Sequence, residues 1–172
     1  MRDLEASVGR SRDGTLRVAF RLQGAISHLR LPAPGPARIG SRLWEHSCFE
    51  LFIAREGDPS YHELNVSPSR EWALYAFRAH REPAVPSARA EVEALEISER
   101  RSEERFEIEA SLGLFSLSAT YGGARLRIGL SAVLETTDGR LSYWALRHPR
   151  DRPDFHHPDA FALLLEPPPA GC

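Results

Sequence analysis

Apolar residues recur at every second position in many segments of this chain. In residues 15–22, Leu16, Val18 and Phe20 fall on one side of the chain, and residues 105–112 repeat the pattern. A period of two is typical of a β-strand with one buried face, because successive side chains point to opposite faces of a sheet. The same reasoning predicts further strands at residues 25–31, 43–54, 61–67, 70–80, 89–98, 125–137, 141–146 and 160–165, and a short helical turn within residues 113–121.

Turn signals separate the predicted strands at short intervals. Ser67-Pro68-Ser69 joins two of them, and a connection this short favours an antiparallel meander over a crossover. Asp138-Gly139 predicts a two-residue hairpin turn. About nine or ten short strands with almost no helix predict an all-β fold, a jelly-roll-like antiparallel β-sandwich. We expect one domain over residues 1–166 and a proline-rich tail at residues 167–172.

The composition excludes several kinds of chemistry and of partner. All 22 basic residues are arginine, so this chain cannot form a Schiff base, a Ser–Lys dyad or a lysine-containing phosphate loop. The net charge of −2 argues against a nucleic-acid partner. Met1 is the only methionine, and alternation keeps His46 and His62 from converging on one iron atom. We therefore expect no haem and no other cofactor.

Cysteine usage and the start of the sequence predict a location. Cys48 falls within a predicted strand and Cys172 within the tail, so we expect two free thiols in a reducing compartment. Residues 1–5 have no apolar run behind their positive charge, and no segment reaches the about 20 apolar residues that span a membrane. These features predict a cytoplasmic protein without a membrane segment.

The predicted strand at residues 43–54 carries the most informative side chains. Alternation places an aromatic ring, an imidazole and a carboxylate on one of its faces, at Trp44, His46 and Glu50. An antiparallel partner strand adds further polar and aromatic groups to that face at Tyr61, Glu63 and Asn65. Such a surface suits a polyhydroxylated ligand, because the apolar face of a sugar ring stacks on aromatic rings while polar groups bind its hydroxyls. The alternative is that this surface is simply the solvated side of a sheet.

Several motifs together carry a resemblance to a known superfamily. They read Trp44-Glu45-x-x-Cys48-Phe49-Glu50-Leu51-Phe52, Tyr61-x-Glu63-x-Asn65-x-Ser67-Pro68-Ser69, Glu71-Trp72-Ala73-x-Tyr75-x-Phe77 and Asp154-Phe155-His156-His157-Pro158-Asp159-x-Phe161. Over roughly residues 10–165 the chain resembles the DOMON-like superfamily, in particular bacterial proteins related to family 9 carbohydrate-binding modules. The resemblance implies a jelly-roll sandwich with one pocket, which binds a sugar in some members and haem in others. This chain lacks the interior methionine that is the usual haem ligand of the superfamily.

A second candidate site is the segment at residues 147–159, which is dense in histidine and aspartate. These side chains can bind zinc or another divalent cation, and the candidate ligands are His148, Asp154, His156 and His157. The segment has no HxH or HExxH spacing. A proline-braced surface loop and a loop that borders the ligand groove are therefore alternatives to a metal site.

Trp72 and Trp144 complete the tryptophans, and each is either a core residue or an aromatic clamp for the ligand. The function we expect is non-catalytic binding of a small carbohydrate or a related polyhydroxylated metabolite. The residues expected to bind it are Trp44, His46, Glu50, Tyr61, Glu63, Asn65, Trp72 and Trp144. A metal-dependent enzyme built on the 148–159 segment and an interaction module without a small ligand are the alternatives. The oligomeric state stays open.

Overall fold

The computed structural model describes residues 3–84 and 95–168, which form two β-sheets. In chain order the strands are β1 (Asp3–Arg10), β2 (Thr15–Gln23), β3 (Arg38–Ile39), β4 (Cys48–Arg55), β5 (Tyr61–Val66), β6 (Glu71–Ala79), β7 (Glu82–Pro83), β8 (Glu96–Arg101), β9 (Arg105–Gly113), β10 (Leu126–Glu135), β11 (Leu141–Ala145) and β12 (Leu163–Leu165). The described residues also form a helical turn at Leu114–Leu117 and 3-10 turns at Ile26–His28, Leu43–Glu45 and Pro158–Ala160.

The two sheets differ in size. The smaller sheet has the strand order β1-β2-β9-β8, and the larger one has the order β11-β10-β4-β5-β6-β3. In the larger sheet β12 also pairs with β10 and β7 with β6, and β3 runs parallel to β6. The strands β4, β5 and β6 form consecutive antiparallel pairs. The prediction of an all-β sandwich is therefore confirmed, with twelve strands among the described residues rather than nine or ten.

The main hydrophobic core lies between the two sheets. Phe49 of β4 stands between two aromatic side chains of the smaller sheet, with ring centroids 5.2 Å from Phe20 and 5.7 Å from Phe106. The other core positions alternate along their strands as the sequence predicts. Burial of each large apolar side chain stabilises the fold by about 1.5–3 kcal/mol, so this layer is the main source of stability.

The structure has more strands than predicted because some strands are short or polar. β3 and β7 have only two residues each, which is too few for alternation to show. β1 pairs along its whole length with β2, but none of its side chains is fully buried. Its sequence therefore carries little apolar signal.

Three predicted strands are wrong in part. In the strand predicted at residues 160–165, Ala160 ends a 3-10 turn and β12 begins only at Leu163. Residues 25–31 contain a 3-10 turn at Ile26–His28 and only a single bridge, between Leu29 and Thr136. Residues 43–47 also lie outside a strand, because Arg42 adopts a left-handed conformation with φ 55° and begins a 3-10 turn at Leu43–Glu45. A left-handed residue interrupts an extended chain, and side-chain alternation does not reveal it.

The hairpin between β10 and β11 has a longer loop than predicted. Its strand pairing ends at Glu135 and Leu141, and the Thr136 amide then donates to the Arg140 carbonyl over 2.9 Å. Gly139 has a φ of 84°, so the loop is a turn followed by a left-handed glycine rather than a two-residue turn.

Parts of other predictions lie outside the described residues. Of the strand predicted at 89–98, residues 89–94 lie outside, and β8 begins at Glu96. Cys48 is buried and free, whereas Cys172 lies outside with the rest of the tail beyond residue 168. In the part of the chain that the structure describes, no helix is long and apolar enough to cross a membrane.

The packing around Gly129 of β10 can be tested by adding one methyl group. A Cβ atom at Gly129 would lie 2.8 Å from Phe161 Cδ1 and 3.2 Å from Phe52 Cβ, on the outer face of the larger sheet. We expect Gly129→Ala to lower the free energy of unfolding by about 1–3 kcal/mol, because the rings must shift from their packed positions. Urea denaturation measures this difference.

Gly9→Ala is the matched control. Gly9 lies in β1, and a Cβ atom there would meet no other atom within 4 Å. Its substitution should change the free energy of unfolding by no more than about 0.5 kcal/mol. Equal losses of stability for the two variants would contradict tight packing at Gly129.

Candidate functional site

The outer face of the larger sheet is covered by a second layer of chain. β4 is buried continuously from its first residue to Ala54, which means that both of its faces are covered. On the outer face the rings of Phe52 and Phe161 stack with centroids 5.4 Å apart, and Tyr61 and Ala160 join the same apolar cluster. The covering residues come from residues 147–161, which follow β11. Beside this cover a cleft stays open.

The cleft has a polar floor and aromatic walls. Its volume is about 430 Å³, within the range of about 300–1,000 Å³ that small-molecule sites occupy. The rings of Trp44 and Tyr75 meet edge to face at 5.8 Å, and those of Tyr143 and Phe155 lie 6.3 Å apart. The lining residues are Trp44, Glu50, Glu63, Tyr75, Phe77, Arg81, Val133, Tyr143, Pro153, Phe155 and His156.

Two buried carboxyl groups lie side by side in the floor. Glu50 of β4 pairs across the strands with Asn65, and Glu63 stands two residues before Asn65 on β5, so the two acids are diagonal neighbours on one face. Burial raises the pKa of Glu50 to about 8, and the negative charge of Glu63 adds to this effect. Burial also raises the pKa of Glu63 to about 7. The pair therefore retains about one proton near neutral pH.

Hydrogen bonds fix the positions of both carboxyl groups. Ser131 Oγ donates to Glu50 Oε2 over 3.0 Å, and Asn65 Nδ2 donates to Glu63 Oε1 over 2.9 Å. Asn65 Oδ1 is buried and has no hydrogen-bond partner among the described residues. The floor is therefore richer in acceptors than in donors.

His156 reaches the cleft from the covering segment and is held by Tyr61. The Arg81 amide donates to Tyr61 Oη over 3.1 Å, and Tyr61 Oη lies 2.9 Å from His156 Nδ1. With the tyrosine hydroxyl donating to Nδ1, the imidazole carries its proton on Nε2, which lies 3.6 Å from Glu63 Oε2. Burial lowers the pKa of His156 to about 4, and the charge of Arg81 contributes, so the ring is neutral at physiological pH.

Arg81 lines the cleft but is paired outside it. This residue has a φ of 56° in the turn between β6 and β7, and its Nη2 atom lies 2.9 Å from Asp154 Oδ1. His80 Nε2 lies 3.2 Å from the other oxygen of the same carboxylate. Burial acts to raise the pKa of Asp154, but the hydrogen bond and the charge of Arg81 lower it below its ordinary value. Asp154 therefore matches the charge of Arg81.

The structure brings several of the predicted binding residues together. Those that line the cleft are Trp44, Glu50 and Glu63. Those that lie on the same face and support the cleft through hydrogen bonds are Tyr61 and Asn65.

Three predicted residues lie elsewhere. His46 Nδ1 lies 2.8 Å from a buried carboxylate at the end of β10, outside the lining of the cleft. Trp72 packs against the sandwich core, where it pairs with Val66. Trp144 pairs with the core residue Ala132 and so points to the face opposite to the cleft. Successive side chains of a strand point to opposite faces of the sheet, and Trp72 and Trp144 occupy positions that point away from the cleft.

Most of the aromatic walls were not predicted. Tyr75 stands directly opposite Glu63 in the β5–β6 pairing, and Tyr143 stands opposite Val133 in the β10–β11 pairing. Extending the alternation from Glu63 across to β6 would have found Tyr75. Arg81 and Phe155 lie in connections, where no periodic signal exists. The residues missed are Tyr75, Phe77, Arg81, Val133, Tyr143, Pro153 and Phe155.

The residues considered as metal ligands do not converge on one point. Asp154 pairs with Arg81, and His157 Nδ1 accepts a hydrogen bond from the Asp159 amide. In the described ranges no group of three or more His, Cys, Asp or Glu side chains is arranged to hold a metal ion. The set His148, Asp154, His156 and His157 is thus dispersed, and the segment that contains it borders the cleft instead.

The fold has a counterpart among solved structures. The chain is similar to a crystal structure from Bacteroides uniformis ATCC 8492 that is described as a "putative carbohydrate-binding protein". The TM-score is 0.64 at 19% sequence identity, and the match covers 91% of this chain and 75% of that chain. At this identity the likeness shows the fold alone. No protein-family model and no curated protein matches the sequence.

The pH dependence of stability should report the buried acid pair. Burial raises the pKa of Glu50 from 4.5 to about 8, so the folded state binds more protons than the unfolded state, and stability falls as the pH rises through this window. His62 and His156, whose pKa values burial lowers from 6.5, act in the opposite direction mainly below about pH 7. We expect the free energy of unfolding to fall by about 2 kcal/mol between about pH 6.5 and about pH 8.5, measured by urea denaturation at each pH.

Glu50→Gln should remove most of this decline, because an amide does not ionise and still accepts the hydrogen bond from Ser131. The control is Glu71→Gln, which removes an acid of the same sheet that pairs with Arg38 outside the cleft. This variant should keep the decline. If Glu50→Gln lost stability with pH as steeply as the unchanged protein, the raised pKa of Glu50 would be ruled out.

Proposed function

We propose that the cleft binds a small carbohydrate, or a closely related polyhydroxylated metabolite, without transforming it. The observation that carries this proposal is the presence of aromatic walls and buried carboxyl groups in one cleft of about 430 Å³. A sugar ring offers apolar faces that stack on aromatic rings, and hydroxyls that need hydrogen-bond partners at fixed positions.

The aromatic walls stand on opposite sides of the floor. Tyr75 lies on β6 and Tyr143 on β11, and in the sheet order these strands flank β10, β4 and β5. Four strand spacings separate them, which is about 19 Å between strand axes. Trp44, which precedes β4, packs against Tyr75, and Phe155 of the covering segment packs against Tyr143. The space between the walls is wide enough for a sugar ring to lie over the floor.

The polar floor and rim offer both donors and acceptors. Glu50 and Glu63 accept hydrogen bonds, and the proton that the pair retains can also be donated. His156 presents Nε2–H, and Arg81 presents guanidinium N–H groups at the rim. A hydroxyl group donates one hydrogen bond and accepts others. This combination therefore suits adjacent hydroxyls of one sugar ring.

Two further observations support the proposal. One solved structure with a similar fold is described as a "putative carbohydrate-binding protein". The cleft residues Trp44, Glu50 and Glu63 also belong to the motifs that resemble the DOMON-like superfamily. A module of the family 9 carbohydrate-binding type is therefore the specific form of the proposal.

The proposal is tested by calorimetric titration with a panel of monosaccharides and disaccharides. Trp44→Ala and Tyr143→Ala should each weaken binding by about ten-fold, because each removes an aromatic contact worth about 1.4 kcal/mol to a stacked ring. The sugar recovered after incubation should be unchanged by NMR.

Trp144→Ala is the matched control for Tyr143→Ala. The two side chains are neighbours on β11 with similar exposure, 36% for Trp144 and 43% for Tyr143, but Trp144 points away from the cleft. Trp144→Ala should keep the affinity of the unchanged protein. Equal weakening by both variants, or a panel without any binding sugar, would show that the cleft is not a carbohydrate site.

A further inference from the structure

The floor of the cleft has more acceptors than its own residues satisfy. Glu50 receives a hydrogen bond from Ser131, and Glu63 receives one from Asn65. His156 Nε2 stays 3.6 Å from Glu63, beyond hydrogen-bond length. Asn65 Oδ1, the cross-strand neighbour of Glu50, is buried without a partner among the described residues. A group with several donors and no acceptor fits this floor better than a hydroxyl does.

The charges in the cleft also favour a ligand group that donates hydrogen bonds and carries a positive charge. Arg81 lines the cleft, but Asp154 lies 2.9 Å from its guanidinium and matches its charge. His156 is neutral, because burial lowers its pKa to about 4. If Glu50 and Glu63 both ionised, the described residues of the cleft would carry two negative charges without a matching cation. A ligand that brings a positive charge removes this imbalance.

The walls also favour a cation over a neutral group. Aromatic ring faces attract cations within about 6 Å of their centroids, with about 0.5–2 kcal/mol per contact. Rings surround the acid pair on both sides of the floor, at Trp44, Tyr75, Phe77, Tyr143 and Phe155. Carboxylates enclosed by aromatic side chains form a setting typical of organic-cation binding.

We propose that the ligand is an amino sugar with a free ammonium group, and that Glu50 and Glu63 together receive this ammonium. The inference rests on the proposed function and names the class of its ligand. An ammonium group has three N–H donors and no acceptor, so it supplies both carboxylates and the unpaired oxygen of Asn65. The rest of the sugar ring then lies between the aromatic walls.

Binding of the ammonium displaces the proton that the acid pair retains. One positive charge enters the floor, about one proton leaves to the solvent, and no covalent bond to carbon changes. The charged or titratable groups that face the pair from β4, β5, β6, β11 and the two adjoining loops are Cys48, Tyr61, Tyr75, Arg81, Tyr143, Asp154 and His156. Cys48, Tyr61, Asp154 and His156 have pKa values outside the interval from about pH 5 to about pH 7. The released proton therefore comes from Glu50 and Glu63.

The experiment compares sugars that share a ring and differ in one substituent. Titration calorimetry of the unchanged protein at about pH 7 uses D-glucosamine, D-galactosamine, their N-acetyl derivatives, D-glucose, D-galactose and D-glucuronate. One of the two amino sugars should bind about ten-fold more tightly than its N-acetyl and neutral counterparts. Its binding heat should vary with the ionisation enthalpy of the buffer, which reports proton release. The difference in affinity between the amino sugar and its neutral counterparts should shrink towards about pH 5, where the acid pair is protonated.

Glu50→Gln and Glu63→Gln each remove one ionisable group and leave the shape of the floor nearly unchanged. Both variants should lose the proton release and the preference for the amino sugar over its neutral counterpart, with the two affinities compared within each variant. Glu71→Gln, outside the cleft, should keep both. Neutral sugars that bind as tightly as amino sugars would overturn the inference and leave the proposed function intact. Tightest binding of D-glucuronate would also overturn it, with Arg81 as the recognising group. Binding of none of these sugars would overturn both proposals.

Discussion

Strand β4 is covered on both faces, and the site depends on this double burial. Its inner residues, among them Phe49 and Leu51, pack against the smaller sheet, whereas Glu50 and Phe52 lie under the segment at residues 147–161. One face of an antiparallel sheet is commonly left in water. Here Phe161 stacks on Phe52 and excludes water from part of the outer face. The cleft exists because the cover is incomplete, and its chemistry exists because the cover excludes water from the carboxyl groups beside it.

Exclusion of water changes what two glutamates can do. On a solvated sheet surface Glu50 and Glu63 would both be ionised, and their mutual repulsion would be screened by solvent. In the floor of the cleft burial disfavours the charged form, and the hydrogen bonds from Ser131 and Asn65, together with the charge of Arg81, only partly offset it. The ionised pair therefore costs stability, and the structure contains no cation that is free to compensate it among the described residues of the cleft. Polar groups held at such a cost in a cleft are typical of binding sites.

The sequence predicts the sheet residues well and the loop residues poorly, for a physical reason. Alternation is imposed by the pleat, so the common face of Glu50, Glu63 and Asn65 follows once β4 and β5 are known to pair. Trp44 reaches the cleft by a different route, because Arg42 turns the chain out of the extended conformation before β4. Arg81 lies in a left-handed turn, and no period marks such a residue. The placement of the walls requires the strand order β11-β10-β4-β5-β6, which is a property of tertiary structure.

Sheet and cover are joined at the site itself rather than only through the apolar cluster. Tyr61 on β5 links the Arg81 amide to His156, and Arg81 and His80 hold Asp154 of the same segment. His156 in turn stands next to Glu63 in the floor. The position of the cover is thus tied to the groups that we propose bind the ligand. A ligand that compensates the acid pair should stabilise the folded protein as a whole, because it binds only where sheet and cover are both in place.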